Sequence, residues 1–221
     1  MPYVFTALLS VFACVYAFIR RSAGLFGRVF FKSAASVMFV MVAFSVRTGV
    51  PESYHTLILF GLCASLAGDV LLLFSDHGNG FGLAGVIGFA AAHLLYISAF
   101  WTIAPPSWVD AVFFASFLTL GVSLVHARQI RPVRFAPALY GYMVLLCAMT
   151  ARALSMLWVA QVPALFGVFA AVGGVSFAVS DLLLGIENRT GSKTAGAFST
   201  ICYYGAQGLI ALSVVVLAPT S

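Results

Sequence analysis

The chain alternates long apolar runs with short polar breaks. Eight runs come near or above the roughly 20 residues that a helix needs to cross a bilayer. They lie at about 2–19, 29–47, 55–74, 81–103, 108–126, 136–158, 163–184 and 196–217. The breaks carry Gly, Pro or charge: "RRSAGLFGR", "TGVPESY", "SDHGNG", "APPSW", "HARQIRPVRFA", "AQVP" and "GIENRTGSKTA". No proline falls in the middle of a run. This pattern predicts an all-α polytopic membrane protein, a bundle of eight transmembrane helices forming a single transmembrane domain over residues 1–221. The first run precedes its arginines and lacks both a basic leader and a small-residue cleavage site, so it reads as a span and not as a signal peptide.

The two halves of the pattern rhyme. "FGLCASLAGDVLLLF" begins at Phe60 and "FGVFAAVGGVSFAVSDLLLG" at Phe166. Each places an aspartate late in the third span of a four-span half, so both run the same way through the membrane. A parallel duplication of two four-helix repeats accounts for this.

Composition narrows the class. The chain is 62% hydrophobic and 8% charged, against roughly 25% charged in soluble domains. The net charge of +5 is held in short connectors and forms no long basic run, so no nucleic-acid partner is expected. The four cysteines, Cys14, Cys63, Cys147 and Cys202, fall inside apolar runs without CxxC or Cys/His spacing. They read as small apolar packing residues, not as disulfides or zinc ligands. Arg20, Arg21 and Arg28 occupy the first connector, Arg128, Arg131 and Arg134 the fifth, and Arg189 and Lys193 the seventh. The even connectors offer little beyond Arg47. The positive-inside rule then puts the odd connectors in the cytoplasm and both termini outside, in the inner membrane if the source is bacterial.

Ionisable groups inside spans are costly and point to function. Here they are Lys32, Asp69, His93, Arg152 and Asp181, accompanied by Tyr96, Tyr140, Tyr203, Tyr204 and Gln207. Counted from the predicted span ends, Asp69 and Asp181 both lie roughly 6–9 Å below the cytoplasmic boundary. Lys32, Tyr140 and Tyr203 fall in the same layer, and His93 and Gln207 lie nearer the midplane. Ser65 and Asp69, Lys32 and Ser36, His93 and Tyr96, and the series Ser199, Tyr203, Gln207 each share a helix face. These stripes would surround one cavity. Arg152, near the outer end, reads as a snorkelling residue, and the glycines between Gly78 and Gly88 as close-packing positions. Asp76 falls in a connector and reads as solvated. A pair of intramembrane acids suits a hydrolase or a proton-coupled carrier about equally, and a scaffold could use acids only to fix helix packing.

The residues also resemble a known group. Lys32, "GDVLL" at 68–72, "FGLAGVIGFAAAHLLY" at 81–96, Tyr140, "SDLLL" at 180–184 and "YYGAQGLI" at 203–210 together resemble the lysoplasmalogenase (YhhN-like) family. The match runs from the second span to the eighth. Ser33 stands where many relatives have proline, and "GGVSFAV" is less bulky than usual before Asp181. The resemblance implies a hydrolase that cleaves the vinyl ether bond of lysoplasmalogens. The products are a fatty aldehyde and glycerophosphoethanolamine or glycerophosphocholine. It implies Asp69 and Asp181 as the catalytic pair and a lysophospholipid substrate in a membrane-lipid setting, with no cofactor or metal. Lys32, His93, Tyr96, Tyr140, Tyr203 and Gln207 are the expected substrate contacts. Vinyl ether cleavage begins with protonation of carbon and proceeds through an oxocarbenium ion. It therefore needs one protonated acid and one carboxylate, a division that paired carboxylates make in glycoside hydrolysis. The expected nearness of Lys32 to Asp69 favours Asp69 as the carboxylate and Asp181 as the proton donor.

Overall fold

In a computed structural model, residues 1–46, 49–127 and 136–218 are described. Arg47, Arg128, Arg131 and Arg134 lie outside the described residues. Among the described residues eight α-helices follow in order: α1 Pro2–Ile19, α2 Leu25–Phe44, α3 Glu52–Leu73, α4 Asn79–Ile103, α5 Trp108–Ala127, α6 Ala136–Ser155, α7 Ala164–Thr190 and α8 Lys193–Leu217. Single 3₁₀ turns at Ser75–His77 and Met156–Trp158 follow α3 and α6. All eight helices are long and apolar enough to cross a membrane, as the sequence pattern predicts.

The ends are set by local chemistry. Prolines precede the first turns of α3 and α7, where a missing N–H removes nothing that the helix uses. The Asp110 carboxylate reaches back to the Ser107 N–H at the start of α5, one half of a capping box. Gly191, at φ +70°, closes α7 in the left-handed conformation that glycine adopts without strain. The Ser192 hydroxyl then caps α8 by accepting from the Ala195 N–H at 3.2 Å. The seventh span therefore runs to Thr190, past its predicted end near 184, because "GIENRT" continues the helix up to that glycine.

Consecutive helices pack side by side within α1–α4 and within α6–α8, while α5 leans mainly on α6. Across the halves, α2 packs on α8 and α6 packs on α4, so the second helix of each half meets the fourth helix of the other. The crossing of α3 and α4 is close. A methyl group on Gly88 would stand 3.3 Å from the Gly68 backbone and the Ala64 carbonyl, and one on Gly85 would stand 3.3 Å from the Gly68 carbonyl. Small residues let the two backbones touch, which fixes the height of Asp69 directly after Gly68. Of the glycines expected to pack closely, Gly85 and Gly88 do so, whereas Gly80 has open space around it.

Buried ties hold the two ends. At one, Arg152 is 3% exposed and does not snorkel. It meets Asp110 at 3.1 Å and donates to the Phe100 and Ala104 carbonyls at the end of α4. The expected outward reach fails because α4 and α5 bring acceptors to the arginine. At the opposite end, Glu187 joins Arg20 and Arg21 and ties α1 to α7. The cysteines are free. Only Cys147 is buried, while Cys14 and Cys63 lie on the outer surface of the bundle, so packing does not account for those two.

Candidate active site

A cavity of about 840 Å³ opens at the arginine-rich end and is lined by both Asp69 and Asp181. Its wall mixes charged groups with apolar ones, among them Leu72, Leu73, Val86, Phe89 and Leu184. The acids come from α3 and α7, the third helix of each half.

Their surroundings differ. Asp69 is 2% exposed and is held by three donors. Its Oδ1 faces the Lys32 ammonium at 3.1 Å, and its Oδ2 accepts from the hydroxyls of Ser36 at 2.6 Å and Tyr203 at 2.7 Å. Lys32 and Ser36 are one turn apart on α2 and reach the acid together. The main chain carbonyl of Lys32 accepts from Tyr204 at 3.2 Å. Behind Tyr203 runs a polar relay. Gln207 donates to the Tyr203 oxygen at 3.3 Å and accepts from Tyr96 at 2.8 Å, and Ser65 stands 3.4 Å from the Tyr96 hydroxyl. Charge-assisted hydrogen bonds of this kind are about twice as strong as neutral ones. They hold the Asp69 carboxylate in one orientation.

Asp181 is set differently. Its Oδ2 accepts from the Tyr142 hydroxyl at 2.5 Å, and among the described residues no side chain donates to its Oδ1. Tyr142 lies flat against His93, with ring centroids 5.2 Å apart. His93 meets the edge of Phe177 at 4.7 Å, and Phe177 meets Tyr203 at 5.5 Å. An aromatic wall of Tyr142, His93, Phe177 and Tyr203 therefore joins the phenol on one acid to the phenol on the other.

The sequence model of the YhhN family matches residues 27–214, a stretch that contains both acids, Lys32 and every member of this wall. The chain belongs to the YhhN family. That family contains lysoplasmalogenases. No curated protein and no solved structure matches the chain.

Within this YhhN-family protein the expected contact residues divide into groups. Lys32 and Tyr203 line the cavity beside Asp69. Tyr96 and Gln207 stand behind Tyr203, buried and away from the cavity surface, where they fix that phenol. His93 is also fully buried, and among the described residues neither ring nitrogen has a hydrogen-bond partner. It meets the site through its faces. Tyr140 is the correction: it is 41% exposed and does not line the cavity, whereas Tyr142, two residues on, holds Asp181. Residues two apart on a helix project to nearly opposite sides. Asp69 lies four residues before the end of α3, and Asp181 lies nine residues before the end of α7, so α7 projects farther. They still reach one cavity. Asp76 is exposed, as expected of a connector residue, and lies at the cavity rim. Glu187 was hidden from the sequence pattern because it falls in the predicted connector. The extra turns of α7 bury it under Arg20 and Arg21.

Proposed function

We propose that this protein is a membrane hydrolase that cleaves the vinyl ether bond of lysoplasmalogens by acid–base catalysis with Asp181 and Asp69. The observation that carries this reading is the unequal hydrogen bonding of two acids on one cavity. Asp69, faced by three donors, is suited to act as a fixed carboxylate. Asp181, with one oxygen steadied by Tyr142 and the other without a donor among the described residues, is suited to carry a proton into the cavity.

The steps balance. Asp181 would give its proton to the β-carbon of the vinyl ether, leaving an oxocarbenium ion faced by the Asp69 carboxylate. Water then adds to the cationic carbon while Asp69 takes its proton. The resulting hemiacetal loses its hydroxyl proton to the Asp181 carboxylate and breaks its bond to the glycerol oxygen, which takes the proton from Asp69. Aldehyde and glycerophospho-alcohol leave, and both acids return to their starting states. Acid–base groups placed in this way contribute typically about 10²–10⁴-fold each.

The cavity supports an amphiphilic substrate. Its apolar wall suits a single alkenyl chain, and its arginine-rich mouth suits a phosphate-bearing head. With the arginines in the cytoplasm, the head would enter from the cytoplasmic leaflet.

The test is purified protein in a maltoside detergent with lysoplasmalogen as substrate. Aldehyde release is expected from the intact chain and is expected to fall at least about 10²-fold in Asp69→Asn and Asp181→Asn. In D₂O the aldehyde should carry deuterium on the carbon next to the carbonyl at the first turnover. No aldehyde from the intact protein sinks the reading, and counterflow of solute without cleavage in liposomes would point to a carrier. Aldehyde release that survives in both folded variants sinks the roles of the acids.

A further inference from the structure

We propose that Arg28 is a phosphate seat at the cavity mouth and sets the recognition of phosphate-bearing lipids, a step that rests on reading the cavity as a lysolipid site. Among the described residues four cations line this cavity: Arg20, Arg21, Arg28 and Lys32. Three are already engaged. Arg20 and Arg21 share the Glu187 carboxylate at 2.6 and 2.9 Å. Arg20 also donates to the Gly196 carbonyl and the Thr200 hydroxyl, each at 2.8 Å. Lys32 is taken by Asp69. Arg28 differs. Among the described residues no carboxylate lies within ion-pair distance of it and no side chain or carbonyl accepts from its guanidinium. Its Nε is shut away from solvent without an acceptor. Asp76, on the same mouth, makes no ion pair with it.

Helix stability does not explain this placement. Arg28 sits in the first turn of α2, where the helix dipole disfavours a cation. A charge needed only for orientation would be satisfied by pointing into water. Arg28 instead lines the cavity with an unused, partly dehydrated fork of donors, the geometry that takes a phosphate by two parallel hydrogen bonds.

Register along α2 gives the distance. Arg28, Lys32 and Ser36 recur every four residues and share one face. Ser36 and Lys32 both touch Asp69, so Arg28 stands one turn, about 6 Å along the axis, nearer the mouth than the first of these contacts. A lipid whose labile ether lies at the acids and whose phosphodiester lies one glycerol unit outward would place its anion at Arg28. The same anion could come from the substrate or from a bystander phospholipid beside the mouth, and the experiment separates the two.

In phosphate-free maltoside micelles, Arg28→Gln is expected to raise KM for a lysoplasmenylethanolamine about tenfold, as loss of one charged hydrogen-bonding partner does, with kcat little changed. KM for an alkenylglycerol without phosphate is expected to stay unchanged, and Arg28→Lys should restore part of the loss. Equal effects on both substrates, or none on either, overturn the proposal. So does an effect that emerges only when anionic phospholipid is added to the micelles, because Arg28 then serves a bystander lipid. A second readout does not depend on catalysis. An ester lysophosphatidylcholine should raise the melting temperature of the intact protein more than a monoacylglycerol of equal chain length, and Arg28→Gln should erase that difference. If the intact protein releases no aldehyde but keeps this Arg28-dependent difference, the hydrolase reading fails and the phosphate seat stands. If aldehyde is released and neither KM nor melting responds to Arg28, the seat fails and the hydrolase reading stands.

Discussion

At Asp181 one phenol stands between the carboxyl group and the aromatic wall. Tyr142 donates to Oδ2 and is itself backed by His93. In the proposed mechanism it would steady Oδ2 and leave Oδ1, to which no described side chain donates, for the proton. Tyr142→Phe removes that donor and keeps the ring, so kcat for aldehyde release is expected to fall about tenfold, the worth of one hydrogen bond to a charged or proton-carrying group. KM should remain within about twofold. Tyr140→Phe serves as the control and should change neither constant. A large KM rise in Tyr142→Phe would mean that the phenol binds substrate and does not position the acid. Tyr140, and not Tyr142, is the phenol expected from the sequence; Tyr142 lies two residues on at a similar depth, and depth alone does not choose between them. Helix rotation does. Leu146, Met149 and Ala153 are buried on α6, and Tyr142 continues that series at spacings of four, three and four, whereas Tyr140 falls off it. That signal was present in the chain, since the apolar stripe could have been extended backwards to the phenol.

Elements were more legible than contacts. Eight apolar runs gave eight helices, because in lipid a spanning segment must satisfy its own backbone hydrogen bonds. Their ends were less legible. The seventh span hid Glu187 because a helix leaving the hydrocarbon continues until local chemistry stops it, here at Gly191. The crossing of α3 and α4 carries a sharper consequence, since it sets where Asp69 sits. The three atoms nearest to a methyl group on Gly88 are all backbone atoms of α3, at 3.3 Å, and backbone cannot rotate aside as a side chain can. Gly88→Val is therefore expected to separate the two helices. A cost of about 1–3 kcal/mol is typical of overpacking. It should appear as a lower melting temperature in detergent, together with reduced aldehyde release as Asp69 shifts from Lys32 and Ser36. Gly80→Val, in the first turn of the same helix with nothing within 4 Å, should do neither. Equal behaviour of the two variants would show that the crossing does not govern the site.

Across the whole molecule the two ends are built for different tasks. One end is closed by Arg152, whose guanidinium gathers Asp110 and the last carbonyls of α4. It also carries the exposed rings of Trp101, Trp108 and Trp158, the residues that anchor a bundle at a membrane interface. The other end is open, with Arg20 and Arg21 held by Glu187 and the cavity between the helices beneath them. The positive-inside rule predicts that the open end faces the cytoplasm, and under the proposed function the mouth would then draw lipid from the inner leaflet, whose anionic surface the arginines would face. This orientation is testable in a variant whose four native cysteines are replaced by alanine. A cysteine introduced at Ser107, between α4 and α5, is expected to react in intact cells with a membrane-impermeant maleimide. One introduced at Asn188, near the end of α7, is expected to react only after the cells are opened. The reverse pattern would turn the molecule over. The acids would keep their cavity, but the lipid would have to come from the outer leaflet and the products would be released outside the cell.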